Sequence, residues 1–318
     1  MDIHLLVEVA RMYYELGKSQ EEIAQIKGLS RSKVSRLLEA ARAEGIVTIQ
    51  VHYPLETVSE LEAALAETFK LKKVGVAKVL VNDLQAIRQD VFRMAADYLV
   101  SAVTSDCRLG VSWGHQMYEL SRHLPARSVD RGVSVIQLNG SLTRSSSATQ
   151  ASAIVERFAR AFGGTAYLLP VPAIAQRAEA ARLFEAEATI AAILDLATRV
   201  DIAVFSIGIA TRDSILYHSG YFTDDEFDDL LKKGAVGDIC ARFFDIQGRI
   251  TDPALDARTI GIRLEQLKQI PVTVGLSAGS YRARAVLGAL RGGYVNTLFT
   301  DEQTARDVLA LHNAGKEG

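Results

Sequence analysis

Of the sixteen residues from Lys27 to Arg42, five are basic (Lys27, Arg31, Lys33, Arg36 and Arg42) and one, Glu39, is acidic. Residues 1–52 as a whole balance seven basic against seven acidic side chains, and the full chain of 318 residues carries a net charge of −2. The positive charge is therefore focused on one short stretch, which is what contact with a phosphate backbone requires. A solvated helix face is the ordinary alternative. Arg and Lys side chains also read guanine edges, and Ser30, Ser32 and Ser35, interleaved with Arg31, Lys33 and Arg36, offer hydroxyls to bases or phosphates. A second group of polar residues follows apolar runs further along: "SWGHQ" (112–116), "NGSLTRSSS" (139–147), "GIATRDS" (208–214) and "SAGSYR" (277–282). Several polar loops placed this way suit a pocket for a polar small molecule. Any one of them alone is only a strand-to-helix connection.

The basic stretch needs a scaffold, and three helical patterns supply one. "IHLLVEVARMYYELG" repeats its apolar residues near every 3.6 positions and stops at Gly17. "SQEEIAQIKG" opens on Ser19 with Glu22 three residues on, a capping box, and closes at Gly28, where a left-handed residue costs least. Ser30 then caps "RSKVSRLLEAARAEG", whose apolar stripe is Val34, Leu37, Leu38 and Ala41. Two short helices joined at Gly28-Leu29-Ser30 form a helix-turn-helix, and the N-terminal part of its second helix is the part that enters the major groove. The alternation in "IVTIQVHY" after Gly45 predicts a strand that forms a wing. The domain expected here spans residues 1–52, followed by a linker helix over 53–72 with Leu55, Val58, Leu61, Leu65 and Phe69 on one stripe.

From residue 73 to 318, β-branched runs alternate with amphipathic helices. Strands are expected in "KVGVAKVL", "RLGVSW", "VSVIQLN", "TAYLLPVP", "DIAVFSIGI", "PVTVGLS" and "YVNTLFT". Helices are expected at about 84–103, 115–123, 148–162, 176–198, 223–231, 280–291 and 302–312. That alternation implies an α/β, Rossmann-like domain with a mostly parallel sheet covered on both faces, and in such sheets ligands bind beyond the carboxyl ends of the strands.

Several motifs in this order resemble the SorC family of bacterial sugar-responsive transcription regulators: "SRSKVSRLLEAARAEGIV" (30–47), "GVSWG" (110–114), "QLNG" (137–140), "LPVP" (169–172), "GAVGDI" (234–239) with "FFDIQG" (243–248), "SAG" (277–279) and "GGYVNTLFTDEQTA" (292–305). The resemblance covers nearly the whole chain. It implies an N-terminal DNA-binding domain and a C-terminal effector domain similar to the sugar-phosphate isomerase and deaminase fold. It also implies assembly into dimers or tetramers, and a carbohydrate or carbohydrate-phosphate effector that alters operator binding. Carried over onto this chain, the ligand positions are Trp113, Gly114, His115, Gln116 and Met117, then Asn139, Gly140 and Ser141, then Asp238 and Arg282. The residue types agree with that role. Free amides at 114–117 would favour an anion at a helix N-terminus. An ionised Asp238 accepts from sugar hydroxyls. Arg282 is a fixed fork for phosphate or carboxylate. Two departures count against a phosphorylated ligand. Gln116 stands where many members carry a small hydroxyl residue, and Ser280 stands where glycine is frequent. A free sugar or sugar alcohol is thus a real option.

Other functions fit less well. Aldose–ketose isomerisation needs a base at the substrate α-carbon, which Asp238 or Glu156 offers in principle. There is no lysine between Lys78 and Lys232 to form a Schiff base, and no metal-ligand or Ser-His-Asp spacing stands out. A LacI-type repressor shares the V-S-R-x-L helix, but begins with it and follows it with a hinge helix. No catalytic residue, metal or cofactor is expected. Cys107 and Cys240 are the only cysteines and are expected to be reduced thiols. The N-terminus lacks the features of a signal peptide, and no apolar run is long enough for a membrane helix. The expectation is a cytoplasmic, homo-oligomeric DNA-binding regulator of the repressor type, with operator DNA and a carbohydrate as partners.

Overall fold

The computed structural model describes residues 2–47, 57–125, 132–143 and 150–315. Two compact units divide the chain, residues 1–54 and 55–318.

In the first unit, helix α1 (Ile3–Ala10) runs into a wider, i→i+5 bonded turn at Arg11–Glu15, so the periodic segment that ends at Gly17 is not one uniform helix. Helix α2 (Gln20–Lys27) has the reciprocal cap: Ser19 Oγ accepts from the Glu22 amide at 3.3 Å, and Glu22 accepts from the Ser19 amide at 2.8 Å. Gly28 ends it at φ +63°, a conformation that a side chain resists. Helix α3 (Arg31–Ala43) starts with Ser30 Oγ accepting from the Lys33 amide. Val34, Leu37, Leu38 and Ala41 are buried against Leu6, Val9 and Ile23. The strand expected at 46–53 falls mostly outside the described residues.

The second unit opens with helix α4 (Ser59–Phe69), strand β1 (Lys73–Ala77), the long helix α5 (Leu84–Ala102), β2 (Arg108–Val111), α6 (His115–His123), β3 (Ser134–Gln137), α7 (Ala151–Phe162) and β4 (Thr165–Tyr167). It continues through α8 (Ala178–Ala186), α9 (Ala188–Thr198), β5 (Ile202–Ser206), β6 (Gly208–Ile209), α10 (Ile215–His218), α11 (Asp224–Lys232), β7 (Gly237–Ile239) and β8 (Arg242–Phe244). It closes with α12 (Pro253–Asp256), α13 (Leu264–Leu267), β9 (Val272–Leu276), α14 (Ala283–Arg291), β10 (Thr297–Asp301) and α15 (Glu302–Ala314). Seven strands form one parallel sheet in the order β1-β10-β9-β5-β2-β3-β4. Its strands send alternate residues to opposite faces. In β5, Ile202 and Val204 join the core that holds Phe92, Met117 and Phe158, while Ala203 and Phe205 join the one that holds Leu65, Leu287 and Val308. Helix α4 belongs to this unit: Leu61 and Leu65 are buried on the second face, and the Phe69 ring meets His312 edge-on.

Two elements differ from the sequence expectation. The helix expected over 176–198 is two, broken at Glu187, whose backbone is extended (ψ 128°). Ala181 and Ile190 both belong to the cluster around Leu169 and Ile260. Nine residues apart on one straight helix they would face opposite ways, so the break lets both reach it. A three-stranded antiparallel sheet, β6-β7-β8, was not anticipated. "DIAVFSIGI", read as one strand, supplies β5 to the large sheet and β6 to the small one.

Candidate functional site

The direction of strand order reverses between β2 and β5. From β2 the chain steps outward to β3 and β4, whereas β5, β9 and β10 build the other side. Loops diverge at such a point and leave a crevice at the carboxyl ends. A cavity of about 1140 Å³ opens there, walled by the turn after β2, the loop after β5, the β7–β8 hairpin and the segment after β9.

Of the ten effector positions expected from sequence, Trp113, Gly114, His115, Gln116, Asn139, Asp238 and Arg282 line this one cavity. The other three lie off its wall. Met117 is wholly buried in the core beneath helix α6. Gly140 is used by its backbone: its carbonyl accepts from Trp113 Nε1 at 2.8 Å and its amide donates to Ile260 at 3.0 Å. A Cβ there would lie 2.3 Å from the Pro172 carbonyl oxygen, so only glycine permits the approach. The Ser141 amide donates to the Val171 carbonyl at 2.7 Å. These residues shape the loop rather than line the cavity. Arg88, Asp213, Ser214, His218, Tyr281 and Arg284 also line it and were not singled out from sequence. Asp213 and Ser214 stand in the polar loop 208–214, and Tyr281 in the polar loop 277–282. Arg88 carries no local signal, because an arginine on a long amphipathic helix reads as surface.

Asp238 projects from β7 opposite Gly208 of β6. A Cβ on Gly208 would sit 2.0 Å from Asp238 Oδ1, so glycine is what admits the carboxylate. Its Oδ2 accepts from the Ala241 amide at 3.2 Å. Burial pushes the carboxyl up to about 7, partly offset by that amide and by Arg282. The hairpin that carries it turns on Cys240 (φ 52°) and Ala241 (φ 65°), a two-residue connection with both residues left-handed, where Asn-Gly is usual. Two further acceptors belong to buried residues that line the same cavity. Among the described residues, Gln116 Oε1 and Asn139 Oδ1 have no hydrogen-bond partner, although such groups are ordinarily satisfied.

Two side chains hold this arrangement from behind. Gln137 Nε2 donates to the Asn139 carbonyl at 2.7 Å and to Ser141 Oγ at 3.0 Å, and Gln137 Oε1 accepts from the Leu169 amide. Arg242, fully buried on β8, donates to the carbonyls of Ile262 (2.7 Å), Thr259 (2.9 Å) and Gly261 (2.9 Å) and to Asp256 Oδ1 (2.6 Å). Gly261 bridges Asn139, so this one guanidinium links the hairpin of Asp238 to the loop of Asn139.

In the N-terminal unit, Arg31, Ser32, Lys33 and Arg36 are exposed and Ser35 is half-buried, on the side of α3 away from its apolar stripe. Ser30 is exposed, but its hydroxyl is engaged as the helix cap. Lys27 is spent within the unit, bonded to Glu8 at 2.5 Å. Arg31, Lys33 and Arg36 make no ion pair among the described residues.

A helix-turn-helix with exposed cations on its second helix, together with an α/β unit that holds a polar cavity at its switch point, defines a ligand-responsive DNA-binding regulator. Residues 53–310 match the Sugar-bind family, described as "Putative sugar-binding domain". The chain is 36% identical over 305 residues (96% of it, 97% of the relative) to the deoxyribonucleoside regulator of Bacillus subtilis strain 168. It is 31% identical to the sorbitol operon regulator of Klebsiella pneumoniae, covering 97% of this chain and 98% of that one. The crystal structure of the full-length sorbitol operon regulator SorC from Klebsiella pneumoniae superposes with a TM-score of 0.74 at 29% identity, over 97% of this chain and 99% of that one. The chain belongs to the SorC family of sugar-binding transcriptional regulators. It is a sugar-modulated regulator of transcription, and its relatives are regulators rather than enzymes. Among the described residues no helix is long and apolar enough to cross a membrane.

Proposed function

We propose that this protein binds operator DNA through Ser30, Arg31, Ser32, Lys33, Ser35 and Arg36, and that a carbohydrate or carbohydrate phosphate in the switch-point cavity modulates that binding. The observation that carries the ligand class is the polar lining of one cavity, in which Asp238 stands with Gln116, Asn139, His115 and Arg282. A polyhydroxylated molecule offers many donors and little apolar surface, and an acceptor left unmatched in a closed site costs about 1–3 kcal/mol. The names of the relatives, which point to sorbitol and deoxyribonucleosides, agree with a carbohydrate-derived ligand.

The test is a thermal-shift screen of sugars, polyols and their phosphates, followed by operator binding with and without the best ligand. Ligand at 100 times its dissociation constant raises stability by about 2.7 kcal/mol. Asp238→Ala is expected to weaken the effector response by about ten- to a hundredfold, with DNA affinity intact. An unaltered response would place the ligand elsewhere, with the loop at 208–218 next to be examined. We further propose a cytoplasmic homo-oligomer, because one helix-turn-helix reads only a few base pairs and selectivity needs two, spaced by helical turns. A monomer by light scattering at micromolar concentration, with and without DNA, would count against it.

A further inference from the structure

The turn after β9 brings Tyr281 and Arg282 to the cavity. It starts at Gly279, whose φ is +106°. The Arg282 amide donates to the Gly279 carbonyl at 2.9 Å, and the Tyr281 phenol oxygen accepts from Arg88 at 2.6 Å and from Arg282 at 3.2 Å. A further hold on this turn comes from the end of the sequence. Asp301, the last residue of β10, is 1% exposed and accepts from the Gly279 amide at 2.7 Å through Oδ2. The same oxygen accepts from Thr304 Oγ1 at 2.6 Å, while Oδ1 accepts from the Thr304 amide at 2.9 Å and so caps α15. A helix cap needs one side-chain oxygen, which Ser, Thr or Asn would also supply. The second oxygen of Asp301 is committed to the cavity turn.

Asp301 also faces the edge strand. In the parallel pair of β1 and β10 its register partner is Ala77. Ala77 in turn bridges Thr57, and the Val58 amide donates to the Val76 carbonyl at 3.1 Å. Thr57 stands just before α4, where the chain arrives from the helix-turn-helix. Helix α4 is fixed to the same elements: the Val76 amide donates to Glu62 at 2.9 Å, and the Phe69 ring meets His312 of α15. A continuous path thus runs from Gly279 through Asp301 and Ala77 to Thr57.

We propose that Asp301 is a positioning residue that latches the cavity turn to the start of α4, so that residues 279–282 and 57–62 gain and lose order together. This rests on the reading of the cavity as the effector site and gives the route by which that site acts on the chain leading to the DNA-binding helices. Asp301 does not line the cavity and acts through Gly279. Coupling of this kind is carried by bonded and packed groups, and a local opening shared by two segments links them without a change of shape. The link is firm because a buried donor that loses its partner finds no water to replace it.

Hydrogen exchange of the full-length, unliganded protein, read by mass spectrometry, tests the latch. Asp301→Asn keeps the shape and a good cap, but it has one acceptor oxygen for donors that now occupy two. Exchange is expected to speed up about tenfold at 279–282 and about three- to tenfold at 57–62, while β5, in the middle of the sheet, is unchanged. Thr304→Val removes the hydroxyl that steadies Oδ2 and should speed both segments by about two- to fivefold. It decides the matter if Asp301→Asn fails to fold. Faster exchange at 279–282 with none at 57–62 overturns the proposal. So does no change at either segment, or a rise that spreads evenly through β5, which marks a carboxylate that serves stability alone. The two readings fail separately. Carbohydrate binding that survives Asp238→Ala removes the cavity as the effector site and leaves the exchange result standing. Unaltered exchange in Asp301→Asn removes the latch and leaves binding in the cavity standing.

Discussion

The helix proposed to read DNA and the cavity proposed to sense the effector are built in opposite ways. Helix α3 carries its cap, its buried stripe and its exposed cations within sixteen residues, Ser30 to Gly45. The cavity draws its wall from segments as distant as Arg88 and Arg284, and its acceptors are held by side chains outside it, Gln137 and Arg242. A local site depends on its own helix and on the two that pack beneath it. A site assembled from many loops depends on the whole sheet and on the glycines that let loops meet. Damage should therefore spread differently from the two.

The largest effect tests their independence. Val34 is fully buried in the small unit, and Leu37→Ala beside it should cost about 2–5 kcal/mol. A unit this small is expected to lose its fold and its DNA binding, while the melting transition and effector binding of residues 55–318 persist. Loss of effector binding as well would break the comparison. Next in size, Arg36→Ala and Lys33→Ala should each weaken operator binding by about 1–3 kcal/mol if the contact is to a base edge, with specificity relaxed at one base pair. A phosphate contact would instead weaken all sequences alike and lower the salt slope. Unchanged affinity of both variants for a mapped operator would reject α3 as the reader.

In the cavity, Gly208→Ala drives a methyl against Asp238 Oδ1. Effector affinity should fall about tenfold, or 1.4 kcal/mol, with DNA affinity unchanged. The pH dependence of binding sharpens the same point. Burial keeps the Asp238 proton up to about pH 7. This group's contribution to the stability of the unliganded fold is thus present in full below its ordinary carboxylate value and is lost as pH rises through 7. A neutral polyol that donates to the carboxylate behaves oppositely: its affinity should rise about tenfold between pH 6 and 8, and Asp238→Asn should flatten that rise. Calorimetry at three pH values decides it. The smallest effect concerns the hairpin turn. Ala241 holds φ 65°, and Ala241→Gly should raise thermal stability by about 0.5–1 kcal/mol without altering DNA binding.

Much of the cavity was nonetheless legible in the residue order. Strand ends mark where polar loops gather, and seven expected positions do line one cavity. Met117, one residue further into α6, turns into the core because a helix rotates its side chains by about 100° per residue. Arg88 has no signal of its own, since nothing nearby in sequence distinguishes it from a solvated arginine. Only the return of the chain at Tyr281, 193 positions later, gives it a partner.

The sequence by itself determined what depends on neighbours along the chain. It set the capping box at Ser19 and Glu22, the left-handed stop at Gly28, the cap at Ser30, the phase of the buried stripe on α3, and the alternation of strand and helix that implies a parallel sheet. These are short-range events, governed by backbone hydrogen bonds and side-chain periodicity. Only the tertiary structure decided the rest: the break at Glu187, the small sheet that presents Asp238, the Arg242 link between two walls, and the meeting of Arg88 with Arg282 at Tyr281. Each depends on which distant surfaces bury together, and strand order, not local propensity, sets which loops face one cavity.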